Sequence, residues 1–228
     1  MQPAESLVLF DIDGTLMRGA GPHHKNALIE GIRQITGRET TVDGISTSGR
    51  LDRDLIAEML RAGGHSARAI RNSLREIMDA CQSAYVSSCN LDLSPFVCLG
   101  VGATLAELKT RGAALGLVTG NLRAIGWRKV ELAGLREYFS LGAFAEDGTS
   151  RARLALVAAR RARKEGFVHS NARISLIGDH PNDVQAAKAN GFQSIAVATG
   201  VIPLEQLAAE QPDILVRDLR ELDVSKLL

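Results

Sequence analysis

Short, uninterrupted apolar runs that stop abruptly at polar clusters set the strongest limit on what this chain can become. Leu7-Val8-Leu9-Phe10 ends at Asp11-Ile12-Asp13-Gly14-Thr15, Leu115-Gly116-Leu117-Val118 at Thr119-Gly120-Asn121, and Ile174-Ser175-Leu176-Ile177 at Gly178-Asp179. Residues 194–198 and 214–216 make two further β-type runs without comparable acid clusters. Exposed antiparallel strands would alternate apolar and polar positions, so continuous runs describe strands buried on both faces of a parallel sheet. Between them, residues 102–111, 126–133, 153–164 and 183–190 carry apolar side chains at the threes and fours of a helix. Alternating strands and helices predict an open, doubly wound α/β sheet. Such sheets bind ligands outside the carboxyl ends of their strands. Here those ends carry Asp11, Asp13, Thr119 and Asp179, which therefore converge on one crevice.

Residues 22–91 break this rhythm, with no strong β run and three helical stretches at 27–35, 55–62 and 67–85. The flanks, Arg18-Gly19-Ala20-Gly21-Pro22 and Asp92-Leu93-Ser94-Pro95, have the Gly/Pro content of paired hinges. The expected organisation is an α/β core domain of residues 1–21 and 92–228, with residues 22–91 inserted as a helical cap able to move over the crevice. A chain of 228 residues, 45% hydrophobic and 23% charged, is long and apolar enough for one large fold or one core with an insertion.

Twenty-seven Lys and Arg against 26 Asp and Glu leave a net charge of +1, which supplies no global attraction to nucleic acid or to an anionic membrane. The longest uncharged stretch, residues 189–204, is too short for a membrane span and is interrupted by Asn190, Gly191, Gly200 and Pro203. Met-Gln-Pro-Ala-Glu precedes an apolar run of only four residues, without the basic start and long apolar centre of a secretion signal, so a cytoplasmic location is expected. Cys81, Cys89 and Cys98 are an odd number without metal-type spacing and read as reduced, structural thiols.

Asp11 and Asp13 stand at a strand end in Asp-x-Asp-Gly-Thr, where a carboxylate can act as nucleophile or metal ligand and Gly14 permits a tight turn. A solvated turn would use the same residues. An EF-hand is excluded, because Leu16 takes the sixth loop position and Pro22 the twelfth. Gly178-Asp179-His180-Pro181-Asn182-Asp183 adds two acids, the second of which also suits a helix N-cap. Four carboxylates at one sheet edge repel one another unless a hard cation joins them, and oxygen-only ligation suits Mg²⁺. Thr119-Gly120-Asn121 offers a hydroxyl and free amides to an anion, or an ordinary helix cap. A phosphate would also need a cation, with Arg151 the first choice and Lys129 and Arg153 its competitors.

Together these segments resemble the motifs of the haloacid dehalogenase-like (HAD) hydrolase superfamily, and the resemblance covers nearly the whole chain. Phe10 to Leu16 is similar to the first motif, Leu117 to Asn121 to the second, and Ile177 to Asp183 to the fourth. The third is usually a lysine, often followed by proline, and that Lys-Pro is absent here. The resemblance implies a HAD-like, Rossmannoid core with a helical cap, as in phosphoglycolate-phosphatase-like members. It further implies a phosphatase acting on a small phosphorylated metabolite: Asp11 attacks phosphorus, and Asp13 protonates the leaving alcohol and then activates water. Mg²⁺ would lie among the Asp11 carboxylate, the Asp13 carbonyl, Asp179 and, directly or through water, Asp183. Thr119, Gly120, the Asn121 backbone and Arg151 would hold the phosphoryl oxygens.

A metal-independent haloacid dehalogenase has no use for an acid at position 13, so Asp13 favours a phosphatase, with a phosphomutase of the β-phosphoglucomutase kind the nearest rival. An inactive binding protein on the same fold would be expected to have lost at least one of the four acids. Ser48-Gly49-Arg50-Leu51-Asp52 resembles the cap stretch that faces substrate, which makes Arg50 a specificity candidate; Arg50 and Asp52 could instead merely start a helix at Leu55. His23-His24 is expected in solvent, Met59 and Met78 in the cap core, and the basic cluster 160–164 on a solvated helix face.

Overall fold

A computed structural model describes residues 2–228. Six strands form one parallel sheet: β1 (Ala4–Phe10), β2 (Ala114–Val118), β3 (Leu141–Ala143), β4 (Val168–Gly178), β5 (Gln193–Val197) and β6 (Ile214–Val216). Their spatial order is β3-β2-β1-β4-β5-β6. The chain therefore winds one way from β1 to β3 and the other way from β4 to β6, so the direction reverses between β1 and β4. That reversal opens a crevice at the strands' carboxyl ends.

Helices α1 (His23–Thr36), α2 (Asp52–Ala62) and α3 (Ala67–Ser88) lie between β1 and α4 (Val101–Thr110), with α5 (Arg123–Leu132) after β2. Then come α6 (Arg151–Lys164), α7 (Pro181–Ala189) and α8 (Leu204–Ala209). Among the described residues, no helix is long and apolar enough to cross a membrane.

The sheet is covered on both faces, as its continuous apolar strands require. Leu7 and Leu9 of β1 join an apolar cluster with Leu154, Ala155, Ala158 and Ala159 of α6. Val8 and Phe10 point the other way, to Val101, Leu105 and Leu108 of α4. The alanines of α6 recur at threes and fours and let the helix lie close to the strands. Its opposite side carries the basic cluster, from which Arg161 reaches back to the Gly142 carbonyl and to Asp147 while Arg160 and Arg163 stay exposed.

Helices α1, α2 and α3 pack on one another, and α3 also packs on α5, so their apolar residues belong to the same cluster as one sheet face. Ile70, Ile77, Cys81 and Tyr85 form the buried stripe of α3. Met59 is buried and Met78 packs at the cluster's edge. The three cysteines are free thiols, and burial pushes Cys81 up to about 12.

The structure adds to the sequence expectations at several points. The three-residue β3 centres on Gly142 and was too short to register as an apolar run. The first half of β4 is largely exposed, so it shows no buried pattern. Helix α1 begins at His23, directly after the flank read as a hinge and ahead of the expected start at residue 27, with the Pro22 carbonyl accepting from the Asn26 amide (2.9 Å).

Gly31 of α1 faces α3 so closely that a methyl group there would stand 2.7 Å from the Cys81 Cα. Gly31→Ala is expected to destabilise the fold by about 1–3 kcal/mol, the usual cost of overpacking, read as a lower urea midpoint.

Candidate active site

Each acid owes its position to a strand end. The Asp11 amide donates to the Ile177 carbonyl (3.0 Å), which extends the β1–β4 ladder by one residue before the chain turns. The turn is drawn tight by the Ile12 carbonyl, which accepts from the amides of Leu16 (2.9 Å) and Met17 (3.1 Å). Gly14 has φ +92°, and a Cβ there would run into the Asp179 carboxylate. Only glycine satisfies both demands. Asp179 follows β4, and its Oδ1 accepts from the Thr15 hydroxyl (3.1 Å). Gly200 approaches the same carboxylate, and Gly178 approaches Asp183, with no room for a side chain at either glycine.

Asp183 is the third residue of α7. Its Oδ2 accepts from the His180 amide (3.2 Å), so it does serve as part of a helix cap. Its Oδ1 turns instead toward Arg151 Nε at 3.1 Å, with the pair too poorly aligned to count as hydrogen-bonded. Arg151, the first residue of α6, donates through Nη1 to Asp11 Oδ1 (2.9 Å) and to the Val118 carbonyl (3.0 Å). Of the three candidate cations, only Arg151 reaches Asp11. Arg153 is exposed, and Lys129 is engaged elsewhere.

Carboxylate oxygens of Asp11, Asp179 and Asp183 lie within 4.8 Å of one another, and all three residues are buried. Burial pushes Asp11 up to about 7 and Asp179 up to about 8, with the neighbouring carboxylates adding to the rise. Asp183 also rises through burial, opposed by Arg151. Burial works against the Arg151 charge, yet Asp11 and Asp183 more than compensate and raise its pKa. An all-oxygen donor set containing a buried carboxylate oxygen without a hydrogen-bond partner, Asp183 Oδ1, is chemically fit for a hard divalent cation.

Asp13 behaves differently. Its side chain is half exposed to the crevice, and Lys129 Nζ donates to both of its oxygens at 2.7 Å. Partial desolvation works to raise its pKa, but the Lys129 charge overrides this and holds it at about 2. The Asn121 amide also donates to Asp13 Oδ2 (2.7 Å) and to Thr119 Oγ1 (2.6 Å). Thr119, Gly120 and Asn121 line the crevice just beyond β2.

Residues 49–52 sit directly on the motif loops. The Asp52 amide donates to the Gly120 carbonyl (2.8 Å), and a Cβ on Gly120 would strike the Arg50 carbonyl. Asn182 Nδ2 donates to the Gly49 carbonyl (2.9 Å). The Arg50 guanidinium lies in the crevice wall but pairs with Glu58 at 2.6 Å. The crevice encloses about 520 Å³; Arg18, Lys25, Leu28, Val42 and Tyr85 also face it.

Three residues take parts other than those the sequence reading gave them; Lys129, read as a rival phosphate cation, pairs with Asp13 instead. Lys129 lies on the buried stripe of α5 with Ile125, Gly126 and Val130, and a lone lysine on an apolar face was the available signal. Asp52 is buried and accepts from the Leu122 amide (2.8 Å). His24, expected in solvent, is instead half-buried between Lys129 (3.1 Å) and Asp52 (2.9 Å), drawn in by their charges.

Fold and site together define a Rossmann-type sheet that gathers carboxylates at its switch point. The sequence profile of the haloacid dehalogenase-like hydrolases matches residues 6–191, and the chain belongs to that family. It is 25% identical over 214 residues to a phosphoglycolate phosphatase of Pectobacterium atrosepticum, covering 91% of this chain and 86% of the relative. A phosphoserine phosphatase of Thermus thermophilus is 33% identical over 133 residues, covering 55% of this chain and 49% of the relative. The chain spans about half the length of most curated relatives it matches. A crystal structure of β-phosphoglucomutase from Clostridium difficile superposes with a TM-score of 0.68 at 17% identity over 99% of this chain and 95% of that one. That likeness is one of fold.

Carboxyls with raised pKa values keep protons in the folded state that the unfolded chain has already released, so folding becomes less favourable as pH rises toward those values. Metal-free protein is therefore expected to lose thermal stability as pH rises from about 6.5 to about 8, because folded Asp11 and Asp179 hold their protons up to about 7 and about 8 while the unfolded chain has already released them. Added MgCl2 should raise Tm most at the upper end, where the carboxylates are ionised. A Tm that climbs with pH and ignores the cation would contradict this electrostatic account.

Proposed function

We propose that the protein is a Mg²⁺-dependent phosphatase that hydrolyses a small phosphomonoester through an aspartyl-phosphate on Asp11. The observation that carries this reading is the pairing of roles at one strand end. Asp11 is buried against Arg151 within the acid cluster, while Asp13, two residues on, faces the crevice. A haloalkyl substrate would leave the second acid without work, since halide departure needs no proton.

Asp11, Asp179 and Asp183 would hold Mg²⁺, together with the Asp13 carbonyl. The ion supplies charge neutralisation for a phosphate dianion entering an acidic site. Asp11 attacks phosphorus, the bond from phosphorus to the ester oxygen breaks, and that oxygen leaves with its electron pair and a proton from Asp13. Water then attacks phosphorus, gives a proton to Asp13, and releases phosphate and the Asp11 carboxylate. Beside Lys129, Asp13 is a carboxylate, and a phosphate dianion bound next to it raises its proton affinity. The Thr119 hydroxyl, the backbone amides of Gly120 and Asn121, and Arg151 hold the phosphoryl oxygens as charge develops.

Residues 22–91 act as the cap of a core made of residues 1–21 and 92–228. Their seating on Gly120 and Asn182 supports this reading, because it closes the leaving-group side against bulk water. Arg50, tethered to Glu58, is the cap residue placed to meet an anionic group on the substrate.

Assays against a panel of phosphomonoesters, with MgCl2 and with EDTA, test the proposal. Hydrolysis is expected only with the cation, and Asp11→Asn should lower kcat by at least about a thousandfold while the fold persists. Full turnover in EDTA, or by the folded variant, would sink it.

A further inference from the structure

Lys129 is a buried ammonium whose three donors are all spent inside the site. Its partners are both oxygens of Asp13 (2.7 Å each), Asn121 Oδ1 (2.7 Å) and His24 Nδ1 (3.1 Å). Because an ammonium can only donate, Nδ1 of His24 accepts, and the ring proton sits on Nε2, where it is given to Asp52 Oδ2 (2.9 Å). Asp52 in turn accepts from the Leu122 amide, at the N-cap of α5, the helix that carries Lys129. The contacts close into a ring: Lys129 from α5, His24 from α1, Asp52 from the start of α2, and α5 again.

The Lys129 cation is buried while its carboxylate partner is half exposed and faces the space where a leaving group departs. Donors also divide unequally between the Asp13 oxygens. Oδ2 receives Lys129 and Asn121, whereas Oδ1 receives Lys129 alone and keeps a lone pair free. Sharing one ammonium between both oxygens fixes the carboxylate's rotation, and so selects Oδ1 as the atom that handles the proton.

We propose that Lys129 is a positioning residue for proton transfer by Asp13, and that His24, from the inserted helices, holds Lys129 in register so that Asp13 is aimed only when those helices are seated. This rests on the phosphatase reading above. The affected step is the first one, in which the ester oxygen leaves phosphorus with the bonding pair and takes the proton from Asp13 Oδ1.

The test is the dependence of log(kcat/KM) on leaving-group pKa for ring-substituted phenyl phosphates, from p-nitrophenyl to unsubstituted phenyl. A well-aimed acid makes the reaction indifferent to how poor the leaving group is, so the wild-type slope should be shallow. Lys129→Met is expected to steepen it, with a loss of about tenfold to a hundredfold on phenyl phosphate and clearly less on the p-nitrophenyl ester. His24→Ala should steepen it in the same sense by a smaller amount, and it decides the matter if Lys129→Met does not fold. Folded variants with the wild-type slope, offset equally on every ester, would overturn the proposal and leave phosphatase activity standing. A wild-type protein inert on every phosphomonoester tried would overturn the phosphatase reading and this inference together.

Discussion

Three carboxylates buried within 4.8 Å of one another are the constraint around which the rest of this molecule is arranged. Isolated buried negative charges are expensive, and placing three together compounds the cost through mutual repulsion. The fold meets it in two ways. Arg151 brings one permanent positive charge to Asp11 and Asp183. Elevated proton affinity of Asp11 and Asp179 supplies the rest. Glycines at 14, 178 and 200 are the steric counterpart, since any side chain there would fill the space the acids occupy.

A second charged pair separates the two aspartates of the first loop. Asp11 faces inward to the acid cluster and Arg151, and its pKa is high; Asp13 faces the crevice beside Lys129, and its pKa is low. Two carboxylates two residues apart thus acquire opposite character, Asp11 chiefly from burial and Asp13 from the Lys129 charge. That is the division a nucleophile and a proton-transfer group require. The inserted helices take part in it, because His24 and Asp52 complete the surroundings of Lys129.

The sheet core was legible because strands buried on both faces leave uninterrupted apolar runs, and because each run ended at the polar residues that now meet at the strand ends. The same logic found Asp11, Asp13, Thr119, Asp179 and Asp183. Strand β3 left no such trace, since three residues around a glycine make no pattern, and the exposed half of β4 had no apolar run to show. The roles of Lys129, His24 and Asp52 went unread for another reason. Their significance lies in contacts between elements 28 to 116 residues apart, which no local spacing records. Arg151 was found through the need for a cation before β4, and its contact with Asp11 sets it apart from Arg153 two residues later.

The central claim is that Asp11 carries the phosphoryl group. Quenching the protein during turnover of a phosphomonoester with borohydride reduces an acyl phosphate to an alcohol, which converts the aspartate that bore it into homoserine. Peptide mass spectrometry should find homoserine at position 11 and at no other aspartate. Homoserine at Asp13, Asp179 or Asp183, or its absence from every aspartate of a protein that is turning over, would contradict the account.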